Sequence, residues 1–181
     1  MSFHLSMLEE NVKKTYVRLN IFQPEQINMK KIGSAFNIYI HFEEADSSMF
    51  CIHGCYSIVL DNRLSPERQW EDFAHELCHV LKHYGNQLVM NKMFRQLQEF
   101  QANSFMYHFC VPTFMLAKIQ LPRLQSEAIK LIGDTFNVTY PFAAKRLEMY
   151  RRKQFSVMWY KAVCKTNQKN IACNRGEEFV L

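Results

Sequence analysis

Residues 66 to 84 constrain the fold most, because they read as one amphipathic helix with signals at both ends. Ser65 suits the N-cap, Pro66 the first helical position and Gly85 the helix end. At about 100° per residue, polar side chains cover one broad stripe and apolar side chains the opposite side. The helix is therefore expected to pack its apolar back into a core and present a polar groove. The stripe comprises Arg68, Asp72, His75, Glu76, His79 and His83.

The polar stripe contains an H-E-x-x-H pattern, His75-Glu76-Leu77-Cys78-His79. Two histidines four residues apart lie one turn apart on one helix face and can bind a single zinc ion. The adjacent Glu76 can take a proton from a water molecule activated by that zinc. An ordinary solvated face is the alternative interpretation. Three histidines on one stripe favour a metallopeptidase helix.

A catalytic zinc site needs a third protein ligand and an open fourth position. A second helical pattern runs from about 92 to 110, and Glu99 within it is the best candidate for that ligand. Asn103 follows one turn later on the same face and could hydrogen-bond a ligand histidine. Alone, Glu99 would read as a surface residue. After the upstream motif, a second helix that carries an acid is the geometry required.

These residues resemble the ImmA/IrrE family of zinc metallopeptidases, over about residues 20 to 150. The resemblance implies that His75, His79 and Glu99 bind Zn2+ and that Glu76 is catalytic. Members of this family, found on prophages, conjugative elements and bacterial chromosomes, cut a helix-turn-helix repressor. The expected function is thus a cytoplasmic antirepressor enzyme whose protein substrate is such a repressor. The motifs that carry the resemblance are the H-E-x-x-H run, His83, Glu99-x-x-Ala102-Asn103-x-Phe105, Val111-Pro112 and Gly54-x-Tyr56.

The chain departs from the family pattern in two places. Many members have Gly at the position of Cys78, so the thiol could approach the metal and suppress activity, or it is simply a small buried residue. Asn103 replaces an acid that some members carry. Beside the ligands, groove-lining or supporting roles are expected for His83, Asp72 and Tyr56, and His83 could alternatively stabilise an oxyanion.

Two other functions stay open from the sequence. One is a non-catalytic antirepressor that binds the repressor without cutting it. The other is a DNA-binding regulator with a structural zinc site, because residues 124 to 152 have a helix-turn-helix outline with a turn at Gly133-Asp134 and Thr139 as a cap. Basic residues follow late in the chain, but solvated helix surfaces explain them more simply. Nucleic acid is therefore not an expected partner.

The expected fold is α+β, with a small antiparallel sheet packed on a mainly helical domain. Predicted strands cover residues 37–42, 49–52 and 55–60, after helices over 5–19 and from Pro24 to Phe36. The strand at 55–60 precedes the zinc helix and, as an edge strand, could hold an extended substrate. The predicted domains are a metallopeptidase domain over 1–120, a helical subdomain over 121–153 and an extension over 154–181.

Composition agrees with a compact chain, since 48% of its 181 residues are hydrophobic. No run of 18 apolar residues and no secretion signal is evident, so neither a membrane span nor export is expected. The six cysteines are scattered, which favours reduced thiols in a cytoplasm over a disulfide framework. No cofactor besides zinc is indicated.

Overall fold

The computed structural model describes residues 5–82 and 91–176, which form an α+β fold. The chain divides into two compact units, Met1–Arg146 and Leu147–Leu181. The boundaries predicted from the sequence lie after residues 120 and 153. No helix in the described ranges is long and apolar enough to cross a bilayer. The helices are α1 Met7–Arg18, α2 Met29–Ala35, α3 Pro66–Lys82, α4 Lys92–Cys110, α5 Thr113–Leu116, α6 Gln125–Phe136 and α7 Tyr140–Gly176.

Side-chain caps start the two early α-helices inside the stretches predicted as helical, over 5–19 and from Pro24 to Phe36. Ser6 and Glu9 form a reciprocal capping box at the start of α1. The single helix predicted from Pro24 to Phe36 is divided, because the Asn28 side chain accepts the Lys31 N–H and starts α2 anew. A 3-10 turn at Pro24–Gln26 precedes it.

The zinc-motif helix α3 begins as predicted. The Ser65 hydroxyl accepts the Arg68 N–H at 3.4 Å, and Pro66 occupies the first helical position. The helix is described to Lys82, so its predicted end near Gly85 lies outside the described residues.

The sheet contains β1 Ile38–Glu43, β2 Ser48–Ile52 and β3 Cys55–Asp61, in the order β1-β3-β2. The predicted all-antiparallel pairing is wrong, because β1 runs parallel to β3 and only β2 is antiparallel. The prediction that β3 is an edge strand is also wrong. Its Ile58 and Leu60 are fully buried, and this strand, the most buried of the three, takes the central position with a partner on each side. The free edges therefore belong to β1 and β2.

The apolar back of α3 forms the core with α4, as the helical periodicity predicts. Trp70, Phe73 and Leu77 are buried on α3. Phe105 and Phe109 meet them from α4, with the Trp70 and Phe109 rings 5.9 Å apart. Because both helices bury these faces against each other, their neighbouring polar faces come together at one surface.

A buried polar cluster joins α1 to the residues after α4. The Arg146 guanidinium, 1% exposed, donates to the Val111 carbonyl at 3.1 Å and to the Thr113 hydroxyl at 2.7 Å. That hydroxyl donates in turn to the Glu9 carboxylate at 2.7 Å. A buried charge of each sign thus shares one bridging hydroxyl, the arrangement in which loss of one partner is costly.

The turn between α6 and α7 lies later than the sequence predicts. Helix α6 continues through Gly133 to Phe136, and Asn137 ends it in the left-handed region with φ of +51°. Gly133 is needed for close packing instead, since a Cβ there would lie 2.7 Å from the Tyr140 ring. Thr139 caps α7 as predicted, with its hydroxyl 3.4 Å from the Phe142 nitrogen.

Candidate functional site

The predicted ligands converge between α3 and α4. The Nε2 atoms of His75 and His79 lie 3.2 Å apart. The Glu99 carboxylate reaches His75 Nε2 at 3.2 Å through one oxygen and His79 Nε2 at 3.6 Å through the other. Among the described residues, this is the one group of three or more His, Cys, Asp and Glu side chains placed to hold a metal ion.

The three side chains are close enough together to bind one zinc ion. Zinc bonds to His nitrogen and carboxylate oxygen are about 2.0–2.2 Å long, so tetrahedral neighbours lie about 3.3–3.6 Å apart. The two histidine nitrogens, 3.2 Å apart, lie close to that range, and one donor atom from each of the three residues lies within 4.8 Å of the other two. Two imidazoles and one carboxylate also form a donor set that leaves a fourth position for water. The three side chains could therefore hold a catalytic rather than a closed structural zinc.

Glu76 lies beside the ligands in an environment that favours proton binding. Burial first, then the negative charges of Glu99 and Asp72, raises the pKa of the Glu76 carboxyl to about 7. Hydrogen bonding by the Met49 main chain on β2 acts in the opposite direction and lowers this pKa. A carboxyl in such a setting suits general acid–base chemistry near neutral pH.

A cavity of about 370 Å³ opens on the His75 side of the site. Asp72, one of the residues for which a groove-lining role is predicted, lines it one turn before Glu76. Arg63 binds Asp61 through two contacts of 2.8 Å and so lowers the pKa of the Asp61 carboxyl. The described lining residues are Asp46, Ser47, Asp61, Leu64, Asp72, His75 and Glu76.

Other predicted site residues have different surroundings. Asn103 is exposed and donates to the main-chain oxygen of Glu99 at 2.9 Å, so its hydrogen bond serves its own helix and not a ligand histidine. Tyr56 lies half-buried on β3, opposite Ile38 and Cys51, and is not among the described residues that line the cavity. His83 lies outside the described residues.

Cys78 is fully buried, and burial raises the pKa of its thiol to about 12. It is not among the donor atoms that converge with the ligand set. Its position on α3 points to the core packing that the sequence analysis gave as one of two interpretations.

The place of β2 beside this site could not be read from the sequence. The group that acts on Glu76 is the main chain of Met49. Every residue except proline has a backbone N–H, so the sequence does not show which one will matter at a site. Asp46 and Ser47, between the strands predicted over 37–42 and 49–52, also line the cavity and were not among the predicted site residues. The only available signal was that a turn and a short strand precede the strand that leads into the zinc helix.

Comparison with known proteins shows where the chain has relatives. Residues 34–148 match the sequence model of the IrrE N-terminal-like domain, Peptidase_M78. The phage-like element PBSX protein XkdA of Bacillus subtilis (strain 168) is 54% identical over 161 residues, which are 89% of this chain and 81% of the relative. The uncharacterized protein YqaB of the same strain is 41% identical over 153 residues, 84% of this chain and 89% of the relative.

Among solved structures, a Mycobacterium tuberculosis transcriptional regulator matches with a TM-score of 0.58 and 15% identity. The match covers 80% of this chain, and the chain spans only 56% of that structure's length. At this identity the similarity shows the fold alone.

Proposed function

Because the chain belongs to the Peptidase_M78 family of IrrE N-terminal-like domains, we propose that it is a zinc-dependent endopeptidase that cleaves a transcriptional repressor. Membership confirms the resemblance drawn from the two helical motifs. Family membership shows that the chain has a metallopeptidase-type fold. Peptide cleavage and the identity of the substrate are what we propose.

The spacing of the three ligand donors is the observation that carries this proposal. His75, His79 and Glu99 bring one donor atom each to within 4.8 Å of the others, and the two histidine nitrogens are 3.2 Å apart. A zinc ion held there supplies a Lewis acid and lowers the pKa of a water molecule to about 7. The cavity beside His75 provides room for a substrate main chain at the same point.

Glu76 performs the proton transfers in this proposal. Its carboxylate accepts the proton of the attacking water and then delivers it to the amine of the departing peptide fragment. The Met49 main chain on β2 favours the ionised, proton-accepting form of this carboxylate, against the effect of burial. Removal of the carboxylate therefore removes the proton shuttle without removing a ligand.

The substrate lies along β2 in this proposal, and not along β3 as the sequence analysis expected. Strand β2 pairs with β3 on one side only. The main chain of Met49 is directed towards Glu76, so the N–H and C=O of Met49 face away from β3. Main-chain groups alternate in direction along an antiparallel strand, so the N–H and C=O of Cys51, two residues later, face away from β3 as well. An extended peptide can thus add to this free edge and pass beside Glu76.

A repressor is the proposed substrate class because the related XkdA belongs to a phage-like element. Cleavage of a helix-turn-helix repressor would switch on the prophage genes that it silences. The regulator among the solved structures matches in fold and supports nothing about the substrate.

Zinc content measured on the purified full-length chain tests the metal site. The wild type should contain about one zinc per chain, Glu99→Ala should lose most of it, and Glu127→Ala on the exposed face of α6 should keep it. Zinc retained in Glu99→Ala with native circular dichroism would refute the proposed ligand set.

Cleavage is tested by co-expression with a candidate helix-turn-helix repressor encoded beside the chain, followed by intact-mass analysis. The wild type should produce two defined fragments. Glu76→Gln should bind zinc and the repressor but leave the repressor whole, while Glu67→Gln on the same helix should cleave normally. If the wild type binds the repressor with zinc loaded and never cuts it, the non-catalytic antirepressor replaces the proposal.

A further inference from the structure

The apolar side chains of Phe50 and Ile52 are exposed on one face of the sheet. Side chains alternate between the two faces along a strand. Met49 lies opposite the fully buried Ile58 of β3, so it belongs to the face that packs into the core. Phe50 and Ile52 therefore belong to the other face, called here the outer face, where they are 38% and 58% exposed. Strand β2 thus presents two apolar positions to solvent.

The outer-face pairs between β2 and β3 contain no acidic or basic residue. A charged group placed over Phe50 or Ile52 would lose water there without gaining an ion pair from these residues. An apolar group would gain free energy by burial against the same two side chains. The three pairs are Ser48 with Val59, Phe50 with Ser57 and Ile52 with Cys55.

A peptide strand on the free edge of β2 would place two of its side chains beside Phe50 and Ile52. No described strand occupies that edge. The N–H and C=O of Cys51 face away from β3, so Cys51 would form a hydrogen-bonded pair with an antiparallel peptide. The peptide residues on either side of that pair then stand opposite Phe50 and Ile52. These are non-hydrogen-bonded pairs, in which opposing side chains come closest, with Cβ atoms about 4.5–5.5 Å apart.

We propose that Phe50 and Ile52 determine substrate specificity, by selecting an extended segment with two apolar residues separated by one position. The residue between them pairs with Cys51. The inference rests on the proposed function, because it takes the substrate strand along β2. A helical segment does not meet this requirement, since its side chains share a face at a spacing of three or four residues. The substrate class is therefore a strand or an unfolded stretch of the repressor.

The outer face suits a strand at its edge better than a partner that lies flat across it. Tyr39 of β1 is also exposed on this face, but the register places the polar Ser57 between Tyr39 and Phe50. The apolar surface is therefore interrupted at β3. Because β3 and β2 separate β1 from the free edge, Tyr39 is three strand spacings, about 14 Å, from an added strand. A flat partner would contact Tyr39, whereas an added strand would not.

Peptide selection on the full-length, zinc-loaded Glu76→Gln protein tests the inference without requiring cleavage. The probe is a phage-displayed library of random dodecapeptides. We expect the enriched sequences to share two apolar residues separated by one position. Adding Phe50→Ser and Ile52→Ser together should abolish this pattern, while adding Tyr39→Ser should preserve it. Circular dichroism and zinc content should be the same in all three proteins.

A double-mutant cycle then assigns each contact. Fluorescence anisotropy of one labelled selected peptide gives the Kd. Alanine at either apolar peptide position should weaken binding about 2- to 5-fold, and Phe50→Ala or Ile52→Ala should have a similar effect. One peptide position should couple to Phe50→Ala and the other to Ile52→Ala, so that the paired losses do not multiply. Tyr39→Ala should leave the Kd within about 1.5-fold of the unmodified protein, because no contact is removed.

The outcomes separate this inference from the peptidase proposal. Repressor cleavage by the wild type, together with selected peptides that lack the apolar pair, would overturn the inference and leave the peptidase standing. Equal losses of affinity in Tyr39→Ala and Phe50→Ala would overturn it in favour of a partner that lies flat on the outer face, a second copy of the chain included. Absence of any enriched peptide would overturn it as well. Peptides that carry the pattern and stay whole with the zinc-loaded wild type would support the strand site and count against the peptidase.

Discussion

A proline at Cys51 tests whether substrate peptides add to the free edge of β2. Cys51 and Met49 are two residues apart on β2, so their main-chain N–H groups point to the same side of the strand. Because the Met49 main chain is directed towards Glu76, the Cys51 N–H faces away from β3. Proline removes this N–H without breaking a bond of the sheet, and proline is tolerated on edge strands for that reason. Cys51→Pro should therefore fold and bind zinc like the wild type.

The expected loss is that of one backbone hydrogen bond to the substrate. Such a bond contributes about 0.5–1.5 kcal/mol net, so kcat/KM for repressor cleavage should fall about 2- to 13-fold. Cys51→Ala keeps the N–H and should retain the wild-type rate. Gel-based initial rates at substrate concentrations below KM give this ratio directly.

Proline at the adjacent Phe50 is the matched control for the register of the sheet. Its N–H faces β3 by the same alternation, so Phe50→Pro should break a hydrogen bond of the sheet. The free energy of unfolding, measured by urea denaturation, should therefore fall by about 1–3 kcal/mol. Wild-type kcat/KM in a folded Cys51→Pro protein would refute substrate pairing with β2. Equal stability of the two proline variants would refute the assigned edge.

Three further predictions concern the core, a thiol and the metal. Arg146→Met removes the guanidinium from the buried cluster that holds the Glu9 carboxylate. The free energy of unfolding should therefore fall by about 3–5 kcal/mol and Tm by about 6–20 °C. A decrease in unfolding free energy below about 1 kcal/mol would contradict the cluster's role. The Cys78 thiol, with its pKa raised to about 12, is ionised to roughly 1 part in 10,000 at pH 8. Mass mapping after brief thiol labelling should therefore find exposed Cys51 modified and Cys78 not, and rapid labelling of both in folded protein would sink this idea. A zinc chelator should lower Tm in the wild type but not in Glu99→Ala, because only a chain that binds zinc is stabilised by it; equal shifts would point to zinc bound elsewhere.

The sequence determined the local parts of the site. The positions of His75, Glu76 and His79 on one helix face follow from the helical period, and Ser65 and Pro66 set where that helix begins. These features depend on residues within a few turns of one another, and local hydrogen bonds and helix geometry decide them. The α+β class was likewise readable, because strand and helix periodicities differ along the chain.

Only the tertiary structure decided what depends on packing. The sequence nominated Glu99, but the burial of α3 against α4 brings its oxygens within 3.2 and 3.6 Å of the histidines. Strand order put β3 in the centre and left β1 and β2 at the edges, while α6 continues to Asn137, with Gly133 packed closely against Tyr140. Such contacts join residues distant in the chain, and their free energy comes from buried surface and pairing that no local pattern encodes.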